Sequence, residues 1–113
     1  MELSVYQTAA HTTSLNTSFG EGDTARLIYP SLKLSGEAGE FAEKVGKIIR
    51  DRAGVIDSAE REALRDELGD VLWYVAEIAT VLGLDLGDIG QRNLDKLRSR
   101  ADRGVIRGSG DAR

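Results

Sequence analysis

The sequence predicts an all-α protein, an antiparallel helical bundle built around a pseudo-symmetric central helix hairpin. Apolar residues recur at helical spacing through most of the chain, and no segment shows the alternation of a strand. Two stretches that start at Leu34 and Leu64 carry nearly the same residue pattern, 30 positions apart. The 113 residues suffice for one domain. We expect it to span residues 1–102, followed by a flexible Gly- and Arg-rich tail over residues 103–113.

The N-terminal half is predicted to hold a short helix, a loop and the first central helix. Residues 3–13 suit a short helix, and the Ser-, Thr- and Gly-rich residues 12–23 suit a loop. Pro30 is expected to begin the first central helix, because the first helical turn does not need the N–H that proline lacks. Apolar residues then recur at helical spacing, and this helix is expected to end near Arg50.

The C-terminal half is predicted to hold the second central helix and a last helix. Asp57 or Ser58 can cap the second central helix, because a side-chain oxygen there accepts hydrogen bonds from unpartnered N–H groups of the first turn. This helix is expected to stop at Gly83. Asp85 is the expected cap of the last helix. Since short connections between helices favour antiparallel neighbours, the helices should form a bundle.

The composition excludes several classes of function. A net charge of −4 argues against a nucleic acid polymer as the partner, because binding to the phosphate backbone needs clustered Lys and Arg. The chain has no Cys and a single His, His11, so any metal must rely on carboxylate oxygens, which suit Mg²⁺, Mn²⁺ or Ca²⁺. The N-terminal residues do not resemble a signal peptide, and no apolar run is long enough for a membrane span. We therefore expect a cytoplasmic protein with no membrane partner.

The repeat between the central helices brings four acidic side chains into matching positions. Glu37 aligns with Glu67, and Glu40 aligns with Asp70. Each pair is spaced i, i+3, which makes its members neighbours at the edge of the apolar stripe. If the apolar stripes pack together, the carboxylates meet on one flank and repel each other strongly unless they take up protons or cations. The repeat therefore predicts a site for a hard divalent cation.

A single acidic pair would not carry this prediction. In a chain with 19 acidic residues, one ExxE or ExxD pattern is usually a solvated helix face. The internal repeat and the position beside the apolar stripe are what favour a site. Five other acidic residues find no such correspondence and are expected to be surface charges: Glu43, Glu60, Glu62, Asp66 and Glu77.

The central segments resemble a known family. The stretches LKLSGEAGEFAEKVGKIIRD and LRDELGDVLWYVAEIATVLGLDL are similar to the MazG-like group of all-α nucleoside triphosphate pyrophosphohydrolases. That group carries ExxE on one helix and ExxD on the next, here Glu37/Glu40 and Glu67/Asp70. The resemblance extends over residues 6–100 and includes an Asn and a Lys three positions apart in the last helix. The ELGDVLWY match is the most specific part of it.

The resemblance implies Mg²⁺-dependent cleavage of a nucleotide between the α- and β-phosphates, giving a monophosphate and pyrophosphate. It assigns Glu37, Glu40, Glu67 and Asp70 as metal ligands and catalytic residues. Among them we expect Glu40 to orient or deprotonate the attacking water. The chemistry suits the residue types, because an acidic site accepts a polyanion only through bound cations, which also lower the pKa of a bound water. Mn²⁺ is the alternative ion.

Five further residues are candidates for substrate binding. Asn93 and Lys96 lie on one face of the last helix and are assigned to phosphate oxygens by the resemblance; otherwise they are an exposed amide and a solvated Lys. Lys44 and Lys47 follow the first acidic pair and could meet phosphates or simply be surface charges. Tyr74 lies one turn after the second acidic pair and is expected to line the nucleotide pocket.

Two further side chains and the C-terminal tail lie outside the acidic pattern. Trp73 points away from the acidic face and is expected at a subunit contact. His11 is expected to be a surface or loop residue and not a ligand. For the tail, two roles stay open: its Arg and Gly residues could close over bound phosphates, or it could be an unstructured end.

Three other functions are compatible with a helical chain rich in acidic residues. A ferritin-like di-iron site needs Glu-x-x-His pairs, and no His lies near either acidic pair, so this class is rejected. A non-catalytic helical interaction module of the same fold stays open, although all four acids are intact. A phosphoribosyl-ATP pyrophosphohydrolase-like enzyme shares the acidic scheme, but ELGDVLWY favours the MazG-like group. In a domain this small, helices with apolar surface left over predict a homodimer or homotetramer.

Overall fold

The computed structural model describes residues 1–112, and over that range the chain folds into helices and connecting loops without a strand. There are four helices: α1 (Leu3–His11), α2 (Gly22–Arg52), α3 (Ser58–Val81) and α4 (Leu86–Asp102). The predicted all-α class is confirmed. Helices α2 and α3 are the two stretches that share the internal repeat.

Helices α3 and α4 begin at the caps that the sequence predicts. The Asp57 side chain accepts a hydrogen bond from the Glu60 N–H at 2.8 Å, and the Glu60 carboxylate accepts one from the Asp57 N–H at 3.2 Å. This reciprocal capping box satisfies two N–H groups that would otherwise lack partners. The Asp85 side chain accepts from the Asp88 N–H at 2.9 Å and starts α4 in the same way. Gly83 separates the two helices with a φ of 67°, a conformation that glycine adopts at little steric cost.

The predicted start of the first central helix is wrong. Helix α2 begins at Gly22, so Pro30 lies inside the helix rather than at its start. Pro30 has no N–H to donate to the carbonyl of Arg26, a loss that destabilises a helix interior. Pro30 is buried, however, and the helix is 31 residues long. Packing of the turns on both sides therefore holds the helix through the missing hydrogen bond.

The hairpin of α2 and α3 is the centre of the fold, and α1 joins it to α4. Helix α1 packs against α3, and α4 packs chiefly against α1. The Gln7 side chain makes this junction: it donates to Thr80 Oγ1 at 3.1 Å and to the Leu84 carbonyl at 2.9 Å. Its own carbonyl oxygen accepts from the Leu86 N–H at 2.8 Å. One amide thus ties three helices together.

The chain leaves much of its apolar surface uncovered. Over residues 1–112 no large side chain is fully buried, and the core of α3 consists of small residues such as Ala76 and Ala79. The radius of gyration is 17.0 Å, against about 13 Å for a compact domain of 100 residues. Exposed apolar side chains occur on every long helix, among them Leu32, Leu68 and Leu94. Within the same range, no helix has both the length and the apolar character needed to cross a membrane.

The tail beyond α4 touches the last helix. The Asp111 carboxylate accepts from Lys96 Nζ at 3.0 Å and from Arg100 at 3.2 Å. Arg100 is only 4% exposed. The division of the chain into residues 1–102 and a flexible tail stays a prediction.

The capping box makes a prediction about stability. Replacing Asp57 by Ala should lower the free energy of unfolding by about 1 kcal/mol, because the N–H of Glu60 loses its acceptor. Asp57→Asn is the matched control, since Asn caps helices as well as Asp does. Chemical denaturation followed by circular dichroism measures both variants. Equal stability of the Ala and Asn variants would contradict a role for the cap.

Candidate carboxylate site on the central hairpin

The hairpin brings the predicted acidic residues of both helices together. Glu37 and Glu40 lie one turn apart on α2, and Glu67 and Asp70 lie one turn apart on α3. One carboxylate oxygen from each of Glu37, Glu67 and Asp70 lies within 4.8 Å of the others. Glu40 is exposed at the rim, close enough to Glu37 for its carboxylate to raise the pKa of the Glu37 carboxyl group. The antiparallel packing of two helices thus turns a sequence repeat into one cluster.

Two of these carboxylates are largely shielded from solvent, whereas Glu40 and Asp70 are exposed. The side chains of Glu37 and Glu67 are 12% and 11% exposed. In each, the Oε2 atom is out of contact with solvent and has no hydrogen-bond partner. A buried carboxylate oxygen without a donor is unfavourable, because it has lost water and gained nothing in return. These two atoms make the cluster a candidate site for a ligand that can serve as their partner.

Lysine side chains offset part of the negative charge. Lys44 Nζ lies 3.1 Å from Glu67 Oε1, and Lys33 Nζ lies 3.8 Å from Glu37 Oε1. Both lysines are about two-fifths exposed, at 42% and 40%, so solvent weakens these ion pairs. They engage one oxygen of each carboxylate and leave the buried Oε2 atoms free.

The crowding is reflected in the acidity of Glu37. Burial raises the pKa of its carboxyl group above the usual value, and the hydrogen bond with Glu40 raises it further. The negative charges of Glu40 and Asp70 act in the same direction, while Lys33 opposes them. The cluster therefore resists full ionisation when no cation is near.

Two tyrosines border the cluster. Burial raises the pKa of Tyr6 on α1, and the negative charge of Asp70 adds to this. The pKa of Tyr74 is also raised, first by burial and then by Tyr29, with which it shares a hydrogen bond, and by Glu37 and Asp70. Tyr74, predicted to line the substrate pocket, thus lies between the carboxylates and Tyr29.

The donor set fits a hard divalent cation. All the groups in the cluster are carboxylates, the oxygen ligands that Mg²⁺ and Mn²⁺ prefer. A cation would give the two buried Oε2 atoms the partner they lack. It would also offset the repulsion that adds to the effect of burial in raising the pKa of Glu37. Glu37, Glu67 and Asp70 could hold such an ion, with Glu40 beside them.

Of the four other predicted substrate-binding residues, only Lys44 contacts a carboxylate of the cluster. Lys47 instead pairs with the exposed Glu43, with 3.1 Å between Nζ and Oε1. Asn93 is exposed on α4, the helix that packs chiefly against α1. Lys96 is held by Asp111 at 3.0 Å, so binding a phosphate would require it to leave that carboxylate. The assignments of Lys47, Asn93 and Lys96 stay predictions.

The structure corrects the prediction for Glu77 and adds partners for two other residues. Glu77, predicted to be a surface charge, is only 7% exposed. It hydrogen bonds with Nδ1 of His11, the last residue of α1, at 3.1 Å. The Trp73 indole donates to Thr13 at 3.0 Å in the same chain, where a subunit contact was expected. Glu77 lies seven positions after Asp70 on the same face of α3, but Asp70 is exposed, so the burial of Glu77 comes from α1 and not from a pattern within α3.

The fold and the cluster define an all-helical protein with a carboxylate site on its central hairpin, and comparisons with known proteins give its family. The sequence model of the MazG nucleotide pyrophosphohydrolase domain matches residues 30–105. The chain is also similar to a curated relative, the "Gene 37 protein" of Mycobacterium phage L5, with 51% identity over 114 residues that cover 100% of both chains. No solved structure matches the chain significantly. The chain belongs to the family of MazG nucleotide pyrophosphohydrolase domains.

The cluster makes a prediction about metal binding that needs no substrate. Adding Mg²⁺ or Mn²⁺ to metal-free protein should raise the melting temperature, because a ligand that binds only the folded state stabilises it. At one hundred times the dissociation constant this gain is about 2.7 kcal/mol. Glu67→Gln should abolish the shift, since it removes a charge at the buried centre of the cluster. Thermal unfolding followed by circular dichroism measures it.

The matched control is Glu62→Gln on the same helix. Glu62 is 59% exposed and pairs only with Arg65 in the next turn, so this variant should keep the full shift. An equal shift in the Glu67 variant and the native protein would show that the ion binds elsewhere.

Proposed function

We propose that this protein is a Mg²⁺-dependent nucleoside triphosphate pyrophosphohydrolase. It would cleave the bond between the α- and β-phosphates and release a monophosphate and pyrophosphate. The single observation that carries the proposal is the cluster of Glu37, Glu67 and Asp70, with two buried oxygens that lack partners. Membership of the MazG nucleotide pyrophosphohydrolase domain family supports the same reaction.

The metal site explains how an acidic surface could accept a polyanion. When bound, a divalent ion supplies charge screening for the phosphates and lowers the pKa of a water molecule. Glu37, Glu67 and Asp70 would hold the ion by their carboxylate oxygens. Mn²⁺ has the same preference for oxygen and is expected to substitute for Mg²⁺.

The rim residues would act on the water and the phosphates. Glu40 is exposed beside the buried Glu37, so it can accept a proton from a water molecule on the solvent side of the cluster. Water would then add to phosphorus as the pyrophosphate leaves. Lys44, partly exposed and 3.1 Å from Glu67, is positioned to donate to a phosphate oxygen. Positioning and charge stabilisation supply most of the rate in such reactions.

The reaction is tested by pyrophosphate release. The native protein should release pyrophosphate from at least one member of a panel of nucleoside and deoxynucleoside triphosphates, and only with Mg²⁺ or Mn²⁺ present. Glu40→Gln should lower kcat by about 100-fold or more, because a general base typically contributes 10²–10⁴-fold. The helical circular dichroism spectrum should not change, since Glu40 is exposed.

Glu43→Gln is the control for this variant. Glu43 lies one turn further along α2, is 64% exposed and pairs with Lys47, outside the cluster. It should keep native activity. Full activity of the Glu40 variant would reject its role in handling water. A folded native protein that releases no pyrophosphate from any substrate would favour the non-catalytic interaction module.

We also propose that the working unit is a homo-oligomer, a dimer or a tetramer. The support is the large apolar surface that a single copy leaves open, including Leu68 at 55% exposure and Leu32 at 66%. Covering apolar area yields about 25 cal/mol per Å², which makes such exposure unfavourable in an isolated chain. A second copy of the chain carries the same exposed apolar side chains, so packing of two copies would bury this surface without another partner.

Light scattering tests the assembly. At micromolar concentration the mass should be at least twice that of the 12.2 kDa chain. Leu68→Asp should shift the mass towards the monomer, because a charge then has to be buried in the contact. A monomeric mass for the native protein would overturn the proposal.

A further inference from the structure

A cavity of about 330 Å³ lies beyond the carboxylate cluster, towards the C-terminal end of α3. It is open to solvent on one side and lined by the end of α1, the loop over residues 13–17, the first turns of α2 and one face of α3. Its volume is in the range typical of sites for small molecules. Neither the proposed metal ligands nor the exposed apolar surface accounts for it.

Aromatic side chains form part of its wall. Tyr29, Trp73 and Tyr74 all line the cavity. The rings of Trp73 and Tyr74 meet edge to face, with centroids 4.9 Å apart and an angle of 81° between their planes. The hydrogen bond from Trp73 to Thr13 fixes the indole in this position. Aromatic walls of this kind suit a flat heterocycle, which can stack on them.

A buried carboxylate lines the same cavity. Glu77 is 7% exposed, and its hydrogen-bond partner is Nδ1 of His11, which lies 3.1 Å from Oε1 and 3.4 Å from Oε2. His11 also lines the cavity. A carboxylate offers about four lone-pair directions, so Glu77 can accept further hydrogen bonds. Arg26 and Asn16 add hydrogen-bond donors to the cavity wall, and Glu77 is its carboxylate acceptor, held in place by the imidazole of His11.

The cavity and the cluster are aligned along one helix. Asp70, Tyr74 and Glu77 share a face of α3, and the seven residues from the first to the last rise about 10 Å. Tyr74 belongs to the cavity wall and is also within electrostatic reach of Asp70. A nucleotide likewise has charged phosphates at one end and a flat base at the other, so the phosphates could lie at the cluster and the base in the cavity.

We propose that this cavity receives the nucleobase and that Glu77, positioned by His11, selects bases that carry an exocyclic amino group. This inference rests on the proposed function for the phosphate end. A carboxylate accepts from the 4-amino group of cytosine, an established pairing in base recognition. Uracil and thymine have a carbonyl oxygen at the same position, which would face the negative charge and leave it without a donor. Glu77 would thus be a specificity-determining residue.

The first test uses binding without metal or turnover. Trp73 is the only Trp in the sequence and lines the cavity, so its fluorescence reports directly on the site. Deoxycytidine should quench it at concentrations at least 10-fold lower than deoxyuridine, after correction for absorbance. Glu77→Gln should remove this difference, because an amide can either accept from an amino group or donate to a carbonyl. Glu62→Gln should retain it.

The second test uses hydrolysis of the matched pair dCTP and dUTP. The ratio of their kcat/KM values should favour dCTP and should fall at least 10-fold in the Glu77→Gln variant. A purely structural role for Glu77 would lower both values and leave the ratio unchanged, which would overturn the proposal. Equal quenching by both nucleosides in the native protein, or none by either, would also overturn it and requires no variant.

The two tests separate this inference from the proposed function. Selective quenching that depends on Glu77, without hydrolysis of any triphosphate, would support the base site and reject the reaction. Pyrophosphate release with no preference between the two pyrimidines would support the reaction and reject selection by Glu77.

Discussion

The burial of like charges between two helices is the constraint on which the rest of this structure depends. Glu37 and Glu67 lie almost out of solvent, within 4.8 Å of each other and of Asp70. Coulomb repulsion at such distances is several times stronger in a protein interior than in water. Lys33 and Lys44 reduce it at the solvent side, but the inner oxygens stay without partners. The hairpin thus holds two carboxylate oxygens to which a bound cation would supply the missing partner.

Helix α1 and its polar contacts hold the hairpin against the rest of the fold. Helix α1 lies against α3 and is anchored by Gln7, whose amide bonds to α3, to the following loop and to α4. The same helix ends at His11, which meets the buried Glu77. Because few large side chains are buried, these directed polar contacts matter more here than in a domain with a thick apolar core.

Much of the fold follows from local patterns. The repeat between the stretches at Leu34 and Leu64 predicted the hairpin, because matching apolar stripes pack together. Asp57 and Asp85 predicted two helix starts, because capping depends only on the few residues around it. The prediction from Pro30 was wrong for the same reason. The preference of proline for the first helical turn is local, whereas packing along the 31-residue helix α2 stabilises a proline in its interior.

The sequence by itself determined the all-α class, most helix ends, the repeat and the alignment of the four acids within it. Only the tertiary structure decided which of these acids are buried, and that Lys44 meets Glu67. It also decided that Glu77 pairs with His11, 66 positions away in the sequence, and that Trp73 pairs with Thr13, 60 positions away. The physical reason is that periodicity places a side chain on a face of its own helix, while burial depends on the helix that covers that face. Helix α1 covers this face of α3, and no pattern within α3 predicts it.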